Sequence, residues 1–300
     1  GLDMALHDLK GKVYGMPCYQ LLGGAFRTQI RLYANYWFTG GGHTAEDYAQ
    51  QAKRVKDMGF TGLKFDPFAH TNYLYGEDLN TDLGLTPAQQ DVAFEVTKAV
   101  REAVGSEFDM MIETHAMLNF EVAVKMAERL APLGVTWYEE PAGPENSDTL
   151  RAFRERLPSN VPICVGERHY TRHGFRPVLE KHICDVIMPD ITRCGGPSEM
   201  KRIATMGEAY GVMVAPHNPN GPLSTLASAH VCASIPNFFR CEFMVNDVPW
   251  RDEVITHPLD VREGFLHLSD RPGLGVDLIE EELEKHPGIR GLKEKDNFYV

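Results

Sequence analysis

Basic residues are in short supply in this chain. Thirty Lys and Arg face 42 Asp and Glu, a formal net charge of −12 at pH 7. A surplus of acid repels a polyanion, so nucleic acid is not expected as a partner. Long apolar runs are missing too. None approaches the roughly 20 residues needed to cross a bilayer, so no membrane partner is expected. The opening Gly1-Leu2-Asp3-Met4 has neither the basic stretch nor the apolar core of a secretory signal. The six cysteines include no Cys-x-x-Cys pair, and several sit inside apolar runs, as buried thiols in a reducing cytoplasm would. No Gly-x-Gly-x-x-Gly joins a strand to a helix, which removes the signature of a dinucleotide-binding open sheet. What is present is the balance of a soluble globular protein, 43% hydrophobic and 24% charged over 300 residues. That length suits one barrel.

Helical periodicity over residues 2–22 (Leu2, Met4-Ala5-Leu6, Leu9) is broken by Pro17 and closed by Gly23-Gly24. From Gln29 onward strand and helix alternate. Strands are predicted at 31–37, 61–66, up to Glu113, up to Glu139, up to Glu167, and at 185–190, 211–217 and 239–242. Helices are predicted between them, one opened by Pro87. Residues 68–86 form a long polar, aromatic connection, expected to be functional because barrel sites are built from loops at that face. Eight βα-type repeats favour a closed parallel barrel with right-handed crossovers. Past Val245 the repeat stops. Residues 271–276 read as a turn into a short strand, and 280–285 as a small helix.

Chemistry gathers at the strand ends. Met110-Met111-Ile112-Glu113, Trp137-Tyr138-Glu139-Glu140-Pro141 and Ile163-Cys164-Val165-Gly166-Glu167 are apolar runs ending in acids, spaced by about 25 to 30 residues, one strand-plus-helix unit. Three carboxylates from successive strand ends converge at one mouth, and oxygen-only donors suit a hard divalent cation such as Mg²⁺. Alternation along a strand lets one of Glu139 and Glu140 point inward. The same rule puts Glu113 with His115, and Lys64 with Asp66, on the interior side. Asp190 and His217 end adjacent strands, and a carboxylate beside an imidazole fixes its tautomer and raises its basicity, as a general base requires. Glu242 ends the last strand.

The order Lys64-x-Asp66, Glu113-x-His115, Tyr138-Glu139-Glu140-Pro141, Gly166-Glu167-Arg168, Pro189-Asp190, Pro216-His217-Asn218 and Glu242 resembles the enolase superfamily, in its mandelate racemase/muconate lactonizing branch. The flanks agree: residues 3–12 with Leu21-Leu22-Gly23-Gly24 before the barrel, and Pro272-Gly273-Leu274-Gly275 after it. Within the branch, residues 63–68 and 112–115 are similar to the acid-sugar dehydratases of the gluconate and galactonate type. The resemblance implies an α/β fold with a TIM-like (β/α)7β barrel over 29–245. Residues 1–28 would be the remnant of the connection to an N-terminal α+β capping domain largely absent from this chain, and 246–300 a segment returning toward it. The chain is therefore expected to be a fragment of a longer protein.

The resemblance also implies roles. Glu113, Glu139 and Glu167 would hold one Mg²⁺, with Mn²⁺ as an alternative. His217 with Asp190 would be the base dyad, His115 the acid that expels a hydroxyl, and Lys64 and Glu242 further catalytic groups. Asp66, Arg168 and His169 would contact substrate. Asp66 departs from the family's Lys-x-Lys, which removes the usual opposite-face proton donor of a racemase. The implied enzyme is a cytoplasmic hydro-lyase, a homo-oligomer acting on a small acid sugar to give a 2-keto-3-deoxy acid. The alternatives are an epimerase, racemase or cycloisomerase, and a non-catalytic barrel that binds a metal and acid sugars.

Overall fold

Period-two apolar runs alternating with amphipathic helical stretches build a closed barrel in the computed structural model, which describes residues 1–39, 41–42, 44–68 and 84–287. The strands are β1 (Gln29–Asn35), β2 (Gly62–Phe65), β3 (Asp109–Glu113), β4 (Trp137–Glu139), β5 (Ile163–Val165), β6 (Val186–Ile187), β7 (Met213–Val214) and β8 (Cys241–Met244). Each pairs in parallel with its sequence neighbour from β1 to β7, and β8 returns to pair in parallel with β1. The last seam, between β7 and β8, is narrow. Val214 bridges Phe238, with Val214 N donating to Asn237 O (2.8 Å) and Phe239 N to Val214 O (2.9 Å). Among the described residues the helices are α1 (Leu2–Tyr14), α2 (Cys18–Leu21), α3 (Ala45–Asp57), α4 (Pro87–Val104), α5 (Phe120–Leu130), α6 (Ser147–Arg156), α7 (Thr171–Glu180), α8 (Pro197–Ala209) and α9 (Pro222–Ala233). Seven of them, α3 to α9, follow β1 to β7, so the barrel is (β/α)7β.

Strand alternation divides the core in two. Tyr33, Met111, Trp137, Cys164, Val186, Met188 and Ala215 fill the barrel interior. Leu32, Ile112, Tyr138, Ile163 and Ile187 point the other way, under the helices. Each such side chain is buried against close neighbours, at about 1.5–3 kcal/mol apiece.

The helix starts are set by caps. Thr44 and Thr86 form capping boxes with Asp47 and Gln89, Pro87 takes the first turn of α4, and the Asn119 side chain accepts from Val122 N (2.9 Å). α8 has only Gly196 at its start, and a residue of α1 does the capping. Asp3 Oδ2 accepts from Ser198 N (2.8 Å) and its Oδ1 from the Ser198 hydroxyl (3.0 Å).

Several expectations are corrected. β6 and β7 are two-residue ladders rather than runs of six or seven, because the chain leaves hydrogen-bonding register before Asp190 and His217. Residues 271–276 form no strand; Gly273 makes one bridge, to Pro17. The antiparallel pair lies earlier, with β9 (Val261–Arg262) and β10 (Phe265–His267), and β10 pairs with the first residues of β1, Gln29 to Arg31, ahead of the pairing with β8 that starts at Leu32. Its turn puts Glu263 (φ 50°) and Gly264 (φ 73°) in the left-handed region. A primed hairpin turn usually advertises itself as Asn-Gly or Asp-Gly, and Glu-Gly hid it. A last helix, α10 (Glu280–Lys285), lies where the acidic run predicted one. The long connection at 68–86 lies outside the described residues from 69 to 83.

The barrel floor is closed by a charge. Arg240 is fully buried inside the N-terminal ends of the strands, donating to Leu32 O, Thr61 O and Oγ1, and Asp109. Gly62 makes room, since a Cβ there would come within 3.1 Å of the guanidinium carbon. Burial pulls the Arg240 pKa down to about 10, with Asp109 opposing. Removing one partner of a fully buried pair costs about 3–5 kcal/mol. Asp109 is partly exposed, so Asp109→Asn is expected to lose roughly 2 kcal/mol, read as a lower urea midpoint at unchanged slope. A midpoint equal to that of the parent would show that the pair contributes nothing to stability.

Candidate active site

Four strand ends point carboxylates or an ammonium into the C-terminal mouth, and all are nearly sealed from solvent. Lys64 Nζ, on β2, lies 2.5 Å from Glu139 Oε1 on β4, 2.9 Å from Glu242 Oε1 on β8 and 3.5 Å from Glu113 Oε2 on β3. Glu167 follows β5. One ligand oxygen each from Glu113, Glu139 and Glu167 lies within 4.8 Å of the others, all three buried.

Neighbours orient these groups. Glu113 Oε1 accepts from Thr114 N (2.9 Å) and His115 N (2.6 Å). Glu139 Oε2 accepts from the Trp137 indole (2.6 Å), two residues back on the same face of β4. Glu242 Oε1 accepts from Asn35 Nδ2 (2.7 Å) and its Oε2 from Asn218 N (2.6 Å). Trp137 was legible from alternation alone; Asn35 ends β1 as the acids end their strands, yet an amide carries no sequence signal of its own.

The carboxylates are too close for all to be charged without cations. Burial and then Glu113 push the Glu139 pKa well up, against the pull of Lys64. Burial also opposes ionisation of Glu113. There His115, the proton shared with Glu139, and Lys64 win, and the carboxyl sits well below its ordinary range. A cation between the two carboxyls would relieve that conflict. On Lys64, burial works against the charge, but Glu139 and Glu242 outweigh it and hold the ammonium protonated. Glu113 Oε1 is filled by its two N–H donors, but Glu113 Oε2 and the oxygens of Glu139 and Glu167 have a lone pair to offer a cation, so the oxygen-only triad fits a divalent ion.

Two imidazoles flank the cluster, each on a carboxylate. His217 Nδ1 is 2.8 Å from Asp190 Oδ2, and its Nε2 is 3.3 Å from Glu167 Oε2. The Asp190 Oδ1 accepts from Thr192 N (2.7 Å) and Oγ1 (2.6 Å). Burial opposes the imidazolium of His217, and Glu242, the Asp190 hydrogen bond and Glu167 raise its pKa regardless. On the other side His115 Nδ1 is 2.7 Å from Asp66 Oδ2. Burial opposes its charge as well; Glu113, Asp66 and Glu167 push its pKa up to about 9.

His115 reaches the site by a route alternation did not foresee. β3 ends at Glu113, and His115 (φ 50°) and Ala116 (φ 55°) turn through the left-handed region. Thr114, Ala116 and Gly166 lock onto Glu140. Ala116 N donates to its carbonyl (2.9 Å), as does Thr114 Oγ1 (2.6 Å), and Gly166 N to its Oε1 (2.7 Å). Glu140 is the buried second acid of the pair, facing away from Lys64, with burial and then Glu167 pushing its pKa up to about 8.

Arg168 joins the cluster, with Nε 3.3 Å from Glu167 Oε1 and Nη2 donating to His115 O (2.9 Å). His169 does not. Its ring packs against Phe175 of α7 at 5.2 Å, and burial pulls its pKa down to about 4.

The fold and site together define a class: a (β/α)7β barrel whose mouth holds a carboxylate triad able to take a metal ion between two carboxylate-held imidazoles. The family described as Enolase C-terminal domain-like matches residues 47–282, and the chain belongs to the enolase superfamily. It is 32% identical over 295 residues to the D-xylonate dehydratase of Haloferax volcanii, covering 95% of this chain and 68% of that one. It is 34% identical over 286 residues to the D-gluconate dehydratase of Thermoproteus tenax, covering 95% of this chain and 55% of that one. Among solved structures it is similar to a mandelate racemase/muconate lactonizing enzyme-like protein from Rubrobacter xylanophilus. There the TM-score is 0.86 and the identity 37%, over 94% of this chain and 75% of that one.

The triad sets the metal prediction. Mn²⁺ titrated by calorimetry is expected to bind at about one ion per chain, and Glu139→Gln, which alters a ligand itself, to weaken it by more than the ~10–100-fold that changes to a ligand's outer partners cost. Wild-type affinity in that variant would remove Glu139 from the ligand set.

Proposed function

We propose that the protein is a Mg²⁺-dependent acid-sugar dehydratase. The observation that carries this reading is the opposed pair of imidazoles. His115 follows β3 and His217 follows β7, half a barrel apart, and each has one ring nitrogen tied to a carboxylate, Asp66 or Asp190. The other ring nitrogen of each faces the mouth, that of His217 lying 3.3 Å from Glu167 Oε2 of the triad.

A divalent cation on Glu113, Glu139 and Glu167 would supply fixed positive charge for the carboxylate end of the substrate. His217 Nε2 takes the proton from C2, with Asp190 holding the tautomer and stabilising the imidazolium that forms. The C–H electron pair moves toward C1 and then returns to form C2=C3 as the C3–O bond breaks. His115, held protonated by its acid neighbours, gives its proton to the departing oxygen, which leaves as water. The resulting enol tautomerises to a 2-keto-3-deoxy acid. Lys64 and Glu242 keep the floor of the site neutral and ordered, and Arg168 and the loop carrying His169 border the substrate.

Asp66 bears on the rival reading. A racemase needs a donor on the face opposite its base, and this position holds a carboxylate bonded to His115 rather than a lysine. On this reading removal of the C2 proton is one-sided because His115, the acid opposite His217, gives its proton to the C3 oxygen and not to C2.

Two measurements test the reading. His217→Asn keeps a hydrogen-bonding side chain without a base and is expected to lower kcat by roughly 10²–10⁴ while substrate still binds; an unchanged rate would make His217 structural. In D₂O, with Mg²⁺ and a panel of five- and six-carbon aldonic and aldaric acids, 2-keto acid should accumulate while recovered substrate keeps its C2 configuration. His115→Ala should retain slow C2 exchange and lose most keto product. Inversion at C2 without keto acid would replace dehydration by epimerisation, and silence across the panel would favour a binding protein.

A further inference from the structure

The Asp190 carboxylate receives four donors, and only three of them have a part so far. Oδ1 takes the Thr192 N–H and hydroxyl; Oδ2 takes the His217 Nδ1–H and also the side-chain amide of Asn220 at 3.1 Å. A carboxylate offers about four acceptor positions, so this one is saturated. Because Asp190 accepts only, the amide must turn its NH₂ toward it, which settles the rotamer of Asn220.

The backbone at Asn220 is pinned independently of its side chain. Its carbonyl accepts from Arg251 Nη2 (3.1 Å). Arg251 is buried and also donates to Thr225 Oγ1 (2.9 Å), Met244 O (3.3 Å) and Asp247 Oδ2 (2.7 Å). The Thr225 hydroxyl in turn accepts from Asn218 Nδ2 (2.9 Å). One guanidinium thus ties the β7–α9 connection, which carries His217, to the end of β8, which carries Glu242. The loop needs no help from the Asn220 amide, so that amide is available for another task.

We propose that Asn220 is a positioning residue for the His217–Asp190 dyad. Its amide stops the carboxylate from turning about its Cβ–Cγ bond and takes a share of the charge that His217 would otherwise draw on alone. A second donor on one acceptor oxygen weakens the first, so Asn220 sets how strongly Asp190 holds the imidazole. This rests on the reading of His217 as the base and adds a residue that tunes it. A purely structural Asn220 would affect stability and nothing else.

The test uses Asn220→Leu, which keeps the size and loses the donor, Asn220→Asp, which replaces the donor by an anion, and Asn220→Gln, which keeps an amide. In ¹⁵N-histidine-labelled protein the Nδ1–H resonance of His217, assigned by its loss in His217→Asn, reports the dyad without substrate. It should move downfield in the Leu variant and return toward the parent in Gln. On any substrate that the parent turns over, kcat should fall about tenfold in Leu, the lower end of the ~10–100-fold that such outer hydrogen bonds carry. It should fall further in Asp and recover in Gln, with KM little changed. An unmoved resonance in the Leu variant, or an effect on KM alone, overturns the proposal. If the parent turns over nothing, the dehydratase reading fails while the resonance still decides the role of Asn220.

Discussion

One buried ammonium organises the centre of this barrel. Lys64 Nζ touches carboxylates from β3, β4 and β8 and lies 5.7 Å from the centroid of the Tyr33 ring on β1. Two like charges about 4 Å apart repel by about 4 kcal/mol at an effective dielectric near 20, so this crowd of acids is untenable without cations. Lysine offsets one charge and His115 and His217 others, and burial with Glu113 still pushes the Glu139 pKa well up. A divalent ion on Glu113, Glu139 and Glu167 would relieve that residual imbalance.

The opposed imidazoles follow from barrel closure. Strands four apart in an eight-strand ring face each other across the mouth. A molecule lying over the triad would therefore meet His217 from one side and His115 from the other. The fold thereby places the two imidazoles by topology, and short contacts to Asp66 and Asp190 refine the placement.

Much of this was legible in the sequence because its period is visible there. Apolar runs ending in an acid recur once per βα unit, so the eight strands, the seven helices between them and the convergent glutamates could be read from spacing. Trp137 could have been read the same way, two residues before Glu139. The failures share a cause: they lie where backbone leaves its regular region. His115 arrives through consecutive left-handed residues, the hairpin at β9–β10 turns on Glu263-Gly264, and Asp190 and His217 sit beyond ladders only two residues long. Alternation put Glu140 on the other face from Glu139 but gave no hint that an acid there would be buried and bonded to Gly166 N–H. Residues such as Asn220 and Arg251 act through distant partners, and distance in sequence hides them.

The cap on α8 carries a consequence for how the chain comes together. The hydrogen bonds between Asp3 and Ser198 span 195 residues of chain. Lys12 to Asp277 at 2.5 Å, Leu274 N to Asp8 at 2.8 Å and the Pro17–Gly273 bridge span still more. Contacts of such separation reward the chain only after the loop entropy between them has been spent, so they slow assembly more than they alter the final stability. Helix α1 therefore behaves as a latch closed on a finished ring: the βα units can accrete in order, while the start of α8 waits for a carboxylate 195 residues away along the chain.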